Sequence, residues 1–192
     1  MENEEMLRKA CMDGDLSKVK ELLQLPDIDI NQKEQNELGY TPLILACRSG
    51  NVEIVKLLLN QKRIDVNLES YSGTTPFLWA CFHEKMDIVE VFLKNNQVDI
   101  NKEDNCGCTP LIRASIWGKV EVVKRILASR RELVLHGVAI DLARERGLTE
   151  IVQLLEIFSM HPRTTTFELR KQMGFPGKYF QFSSFFLLNL NI

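Results

Sequence analysis

A chain of 192 residues, 45% hydrophobic and 26% charged with a formal net charge of -2, has the balance of a folded protein and excludes global disorder. That charge argues against a phosphate-backbone partner, because nucleic-acid binders are strongly basic, and it is unevenly placed: 15 Lys and Arg stand against 20 Asp and Glu over residues 1–124, and 9 against 6 over residues 125–192. Five cysteines with no paired spacing framework fit a reducing, intracellular compartment; the start lacks a signal-peptide apolar region, and no stretch approaches the roughly 18 consecutive apolar residues of a membrane span.

In chain order, residues 7–23 read as two short helices, with the polar Lys18 on a stripe that is apolar in later segments. A polar residue there suits a terminal unit facing water. Ile28-Asp29-Ile30-Asn31 then begins the first of three related runs, followed by Ile64-Asp65-Val66-Asn67 and Val98-Asp99-Ile100-Asn101, each leading to Gly39, Gly73 or Gly107. Short β-prone runs closed by Gly read as extended, hairpin-like fingers, with Asp29, Asp65 and Asp99 as turn formers.

Thr41-Pro42-Leu43-Ile44-Leu45-Ala46 opens the next helix and returns at 75–80 and 109–114, a period of 34 residues. The Thr hydroxyl accepts from a first-turn amide and Pro has no amide to leave unpaired, so each copy marks a helix start. Gly50 and Gly118, with Glu84 in the middle copy, mark the turn into a second helix at 52–59, 86–93 and 120–127. There Ile54, Val55 and Leu58 recur as Ile88, Val89, Phe92 and as Val122, Val123, Ile126, a helical stripe predicted to pack between neighbouring units. A fifth helix pair starts near Val138 after a period of 29, the preceding finger being five residues shorter. Such self-similarity predicts an all-α repeat solenoid over residues 1–158, with about five units, three of them full.

Residues 159–192 change character. His161-Pro162 breaks the fifth unit and Thr166 is placed to cap a short helix over 167–173. Phe175, Tyr179, Phe180, Phe182, Phe185 and Phe186 follow, so half of the ten Phe lie in the last 18 residues. This segment covers the open side of the last unit, docks on a partner or membrane surface, or is an unstructured end; the first is preferred, because exposed apolar patches are rare in monomers.

The TPLxxA opening, the EIVKLLL of residues 53–59 and the Asp-Val-Asn of the finger, three times in register, resemble the ankyrin repeat over about residues 5–157. One departure is the His that the family commonly carries after Thr-Pro-Leu, which ties finger to helix; Ile44, Leu78 and Ile112 stand there. The resemblance implies helix-turn-helix units joined by β-hairpin-like fingers, and a concave face whose variable positions contact another protein. Carried onto this chain, those positions include Leu38, Tyr40, Arg48, Glu69, Tyr71, Phe82, His83, Asn105, Ile116 and Trp117. The aromatics stand out as interface anchors.

Nothing in the chain suggests catalysis. No GxSxG elbow, P-loop, HExxH or CxxC occurs, and His83, His136 and His161 share no ligand spacing. Cys106-Gly107-Cys108 lacks the second pair that a tetrahedral metal site needs. Cys11, Cys47 and Cys81 occupy one repeated helix position, held by Ser115 in the fourth unit, and read as small packing residues. The expectation is a monomeric, non-catalytic adaptor or scaffold without cofactor or metal; an inhibitor occupying a partner enzyme such as a kinase, and an adaptor tethered to a membrane by its aromatic tail, are the alternatives.

Overall fold

Local chemistry at the helix starts sets the architecture. A computed structural model describes residues 2–134 and 137–175, and among them the chain forms eleven helices and no strand. Five pairs follow one another: α1 (Glu2–Asp13) with α2 (Leu16–Leu22), α3 (Pro42–Ser49) with α4 (Val52–Leu59), α5 (Pro76–Phe82) with α6 (Met86–Lys94), α7 (Pro110–Ile116) with α8 (Val120–Ala128), and α9 (Gly137–Glu145) with α10 (Thr149–Met160). An eleventh helix, α11 (Pro162–Gln172), ends the described chain. First helices pack on first helices from α1 to α9 and second on second from α2 to α10, giving an inner and an outer row.

At each full unit the Thr-Pro opening works as its chemistry dictates. Thr41, Thr75 and Thr109 accept from the amides of Ile44, Leu78 and Ile112 at 3.2, 3.1 and 3.2 Å, with Pro in the first turn. The turn to the outer helix needs a left-handed residue: Gly50 and Gly118 supply it freely, whereas Glu84 holds φ at 51° with a side chain, a conformation costing about 1–2 kcal/mol outside glycine. Outer-helix starts differ along the array. Asp15 and Asn51 cap α2 and α4 through their side chains, while Lys85 and Lys119 occupy the same position before α6 and α8 and make no cap bond.

The outer-helix stripe forms the core between units. Ile54, Val55, Leu58, Ile88, Val89, Phe92, Val122, Val123 and Ile126 are essentially inaccessible, whereas Lys18 keeps its ammonium at the surface, 2.8 Å from Glu21. Ile44, Leu78 and Ile112 are buried as well, so apolar packing stands in for the histidine contact. The Cys11, Cys47 and Cys81 thiols are buried in the inner row. Burial pushes Cys11 up to about 12 and raises the other two, which keeps all three neutral.

Between units the fingers are stitched by a ladder that the sequence pattern alone did not reveal. Asp29, Asp65 and Asp99 accept from the Asn amide two residues on, at 3.0, 3.0 and 2.9 Å, each closing its own turn. The Asn side chain then spans to the next finger. Asn31 donates to Arg63 O and accepts from the Asp65 amide, Asn67 donates to Gln97 O and accepts from the Asp99 amide, and Asn101 donates to Glu132 O and accepts from the Val134 amide, all at 2.8–3.0 Å. The fingers are hairpin-like in closing on short backbone bonds without forming strands, as in Ser70 N to Thr74 O and Gly73 N to Ser70 O, both at 3.0 Å.

The C-terminal helix departs from the sequence-based expectation. It begins at Pro162, not 167, because Pro at the first helical position needs no amide acceptor. Thr166 does not cap it; its hydroxyl donates to Leu127 O at 2.9 Å, and Arg170 donates to Ala128 O at 3.1 Å. These bonds satisfy carbonyls at the end of α8, and α11 packs on α8 and α10 with Leu169 4% exposed. Tyr179, Phe180, Phe182, Phe185 and Phe186 lie outside the described residues, as does His136.

Leu58→Ala is expected to cost about 2–5 kcal/mol by emptying the stripe between units, and Lys18→Ala little; urea melts in which the two are equally mild would contradict the register. A chain ending at residue 160 should still melt cooperatively, since stacking is nearest-neighbour, but at lower temperature. Leu169→Ala in the full chain should reproduce part of that loss, and an unchanged melt for both would mean that α11 adds nothing to the stack.

Candidate protein-interaction groove

The inner row and the finger tips enclose an open groove of about 340 Å³, lined by Tyr40, Ser72, Thr74, Leu78, Trp79, Phe82, His83, Asp104, Cys106, Arg113 and Trp117. Its floor comes from helix geometry: Trp79 and His83 are four apart on α5 and its cap, so they share a face, and their rings stack at 4.0 Å between centroids. Phe82 meets the edge of His83 at 5.0 Å and crosses to Trp117 in the next unit at 5.6 Å, nearly perpendicular. The Arg146 guanidinium lies 5.3 Å from the Trp117 ring centroid. Trp117 remains 49% exposed, a large aromatic surface facing solvent from a rigid support.

The finger wall is held by one carboxylate. Asp104 is buried and accepts from the Cys106 and Cys108 amides at 2.9 and 3.1 Å, while its other oxygen accepts from Arg113 Nε at 2.6 Å. Burial by itself would raise this carboxyl, but the Arg113 guanidinium and the two amides outweigh it and hold it below its usual value. Neighbouring fingers bond directly, Tyr71 N to Leu38 O at 3.1 Å and Asn105 N to Ser72 O at 3.3 Å. Gly39 and Gly73 are required here. Both have positive φ, and a Cβ would fall 2.5 Å from the Tyr71 ring in one case and 2.5 Å from the Asn105 amide nitrogen in the other.

Of the candidate contact residues, Tyr40, Phe82, His83 and Trp117 come together in this groove. Leu38 and Tyr71 stand on the finger edge, 48% and 55% exposed, with Tyr71 lying over Gly39 and 5.4 Å from Lys33 Nζ. Arg48 is exposed at the end of α3. Two others are engaged within the array: Glu69 pairs with Lys102 at 2.5 Å, and Asn105 Nδ2 donates to Tyr71 O at 2.9 Å. Ile116 is 8% exposed and part of the core, on the helix against which α9 packs.

Sequence reasoning left out Arg113 and Arg146 as groove residues and held Trp79 back, because Leu45 and Arg113 stand at its equivalent positions. Leu45, Trp79 and Arg113 occupy one repeated position; Leu45 and Trp79 are buried there, whereas Arg113 is half-buried and pairs with Asp104. Among the described residues, no group of three or more His, Cys, Asp or Glu is arranged to hold a metal ion. Likewise none of the described helices is long and apolar enough to cross a membrane.

A stack of helix pairs that closes its own core and presents an open aromatic groove defines a repeat-type protein-interaction module. A family model described as ankyrin repeats in three copies matches residues 7–104 and 64–134, more than half of the chain. The chain belongs to the ankyrin-repeat family, whose repeats mediate protein–protein interaction. It is 41% identical over 56 residues to Ankyrin repeat domain-containing protein 7 of Homo sapiens, 29% of this chain and 21% of that protein. To SMC5-SMC6 complex localization factor protein 1 of Mus musculus it is 39% identical over 61 residues, 32% of this chain and 6% of that one. To the Mus musculus Ankyrin repeat, SAM and basic leucine zipper domain-containing protein 1 it is 42% identical over 60 residues, 31% of this chain and 12% of that one. The chain thus spans between 6% and 21% of these relatives' length.

His83 provides a probe of the groove. Burial, followed by the charges of Lys85, Lys119 and Arg48, holds its imidazole below the ordinary histidine value. Because the folded-state value is below the unfolded one, stability should decline as pH falls through that window. In a Trp117→Phe background, Trp79 emission should change on acidification with a midpoint below the ordinary value, as the stacked imidazole becomes a cation. His83→Gln should flatten the profile; a transition that survives it would assign the titration elsewhere.

Proposed function

We propose that this chain is a non-catalytic adaptor or scaffold that holds another protein against the groove between finger tips and inner helices. The observation that carries the reading is the Trp79, Phe82, His83 and Trp117 cluster, with Trp117 half exposed on a stacked, preorganised support. Aromatic side chains of this kind are the usual energetic anchors of protein interfaces, because they bury much area at little rotamer cost. Membership of a protein-interaction family supports the same reading. The array proper is proposed to be five helix pairs over residues 1–158, followed by a segment from 159 whose α11 covers the last outer helices. Five free cysteines, three of them buried, are in keeping with an intracellular site of action.

The test is the affinity of a purified partner obtained with the array as bait. Trp117→Ala should weaken binding by about 1 kcal/mol or more, the hot-spot scale, and leave the melting profile near that of the parent. Glu53→Ala and Glu121→Ala, exposed on the outer helices α4 and α8, should leave affinity unchanged. The opposite pattern would place the contact surface on the outer row.

A further inference from the structure

The helix ends beside the groove carry an excess of cations in places where local stability does not ask for them. Arg48 lies in the last turn of α3, His83 and Trp117 cap α5 and α7, and Arg146 follows α9, so these residues form one rim along the inner row. Lys85 and Lys119 stand just beyond, at the cap positions immediately before the outer helices, where the helix presents its positive end. The first two units place Asp15 and Asn51 there and gain a cap; the third and fourth forgo it for a lysine. Compensation of a helix dipole explains Arg48. It does not explain Lys85 or Lys119, which sit at the wrong end.

Two anions near this rim are already matched. Glu84 pairs with Lys119 at 2.7 Å and Asp104 with Arg113 at 2.6 Å. Among the described residues no ion pair engages Arg48 or Lys85, and Lys85 Nζ reaches back over the preceding unit, 3.7 Å from where a Cβ on Gly50 would be. Arg146 lies on the Trp117 face. Lys85, Lys119 and Arg48 all stand near enough to the groove to lower the His83 imidazole, after burial, which is the larger cause.

We propose that the rim receives an acidic segment of a partner protein that also carries a bulky aromatic or apolar side chain. The carboxylates of that segment meet Arg48, Lys85 and Arg146, and its anchor enters the groove among Trp79, Phe82 and Trp117. This rests on the reading of the groove as the contact surface and adds the chemistry of what it contacts. Lys85 then has a reason to displace a cap residue: it trades helix stability for charge complementarity, which speeds encounter and rejects basic partners, whereas Lys119 is taken up by Glu84.

Both tryptophans of the chain lie in this groove, so its occupancy can be read from intrinsic emission. The full chain is titrated with a glutamate–tyrosine copolymer and with a lysine–tyrosine copolymer of matched length and composition. The acidic copolymer should shift the emission saturably, with affinity falling as salt rises. The basic one should not. Arg48→Glu with Lys85→Glu should weaken the acidic copolymer at least about tenfold, as like charges then face each other, whereas Lys56→Glu on the exposed face of α4 should leave it unchanged. Lys85→Asn should raise the melting temperature by restoring a cap and still weaken binding, a result that misfolding cannot imitate. Absence of a saturable shift, equal binding of both copolymers, or indifference to the changes at Arg48 and Lys85 would overturn the inference. If Trp117→Ala nevertheless weakens a purified partner while the charge changes do not, the groove is a contact surface of purely apolar preference, and only the acidic-partner inference falls.

Discussion

No helix pair in this chain can bury its own apolar surface, and that constraint governs everything else. Ile54, Val55 and Leu58 lie on α4, which packs on α3 of its own unit but also on α2 on one side and α6 on the other, and the three are fully buried among them. Each unit is therefore a core for its neighbours, and stability grows by interfaces instead of around a centre. Two features of the chain break the pattern of apolar stacking. At the start Lys18 replaces an apolar stripe residue, and after the last pair α11 lies across α8 and α10, its Thr166 and Arg170 satisfying carbonyls at the end of α8.

Apolar stacking is non-directional and would tolerate sliding of one pair on the next. Direction comes from the fingers. The Asn31, Asn67 and Asn101 side chains each both donate to and accept from the following finger, with Asp holding the turn that aims them. Hydrogen bonds fix distance and angle where burial does not, so the ladder sets the spacing at which Phe82 of one unit meets Trp117 of the next. The groove is a product of two independent devices, a stack that supplies rigidity and a ladder that supplies register.

The local rules are obeyed strictly in the second unit and relaxed in the third and fourth, beside the groove. Thr41, Asn51 and Gly50 provide inner cap, outer cap and free left-handed turn in one unit. In the next, Glu84 takes the left-handed turn at a conformational cost and Lys85 leaves the outer helix uncapped. The fifth unit also starts its outer helix uncapped, behind Leu148, but the charged departures, Glu84, Lys85 and Lys119, lie beside the groove, the pattern expected where a surface serves a partner. Arg113 is the same kind of departure, an ionised side chain where Leu45 stands two units earlier, matched to the buried Asp104.

Much of the fold was legible in the order of residues, because helix starts, stripes and turns are local. Thr-Pro caps its own helix whatever surrounds it, the positions of Ile54, Val55 and Leu58 recur with helical spacing, and Asp29, Asp65 and Asp99 close turns only two residues long. The repeat of 34 residues alone then determined a stack of helix pairs and a binding surface in place of an enclosed site. What depended on neighbours could not be read this way. Whether Ile116 faces solvent was decided by how the neighbouring units pack on α7; whether Thr166 caps a helix or reaches α8 was decided by where Pro162 let α11 begin. The stacking of Trp79 on His83 is local, but its union with Phe82, Trp117 and Arg146 joins three units and exists only once the ladder has set their separation. Sequence by itself determined the unit and its repetition; tertiary structure decided which side chains the stack consumed and which it left to meet a partner, because burial is a property of the neighbour and not of the residue.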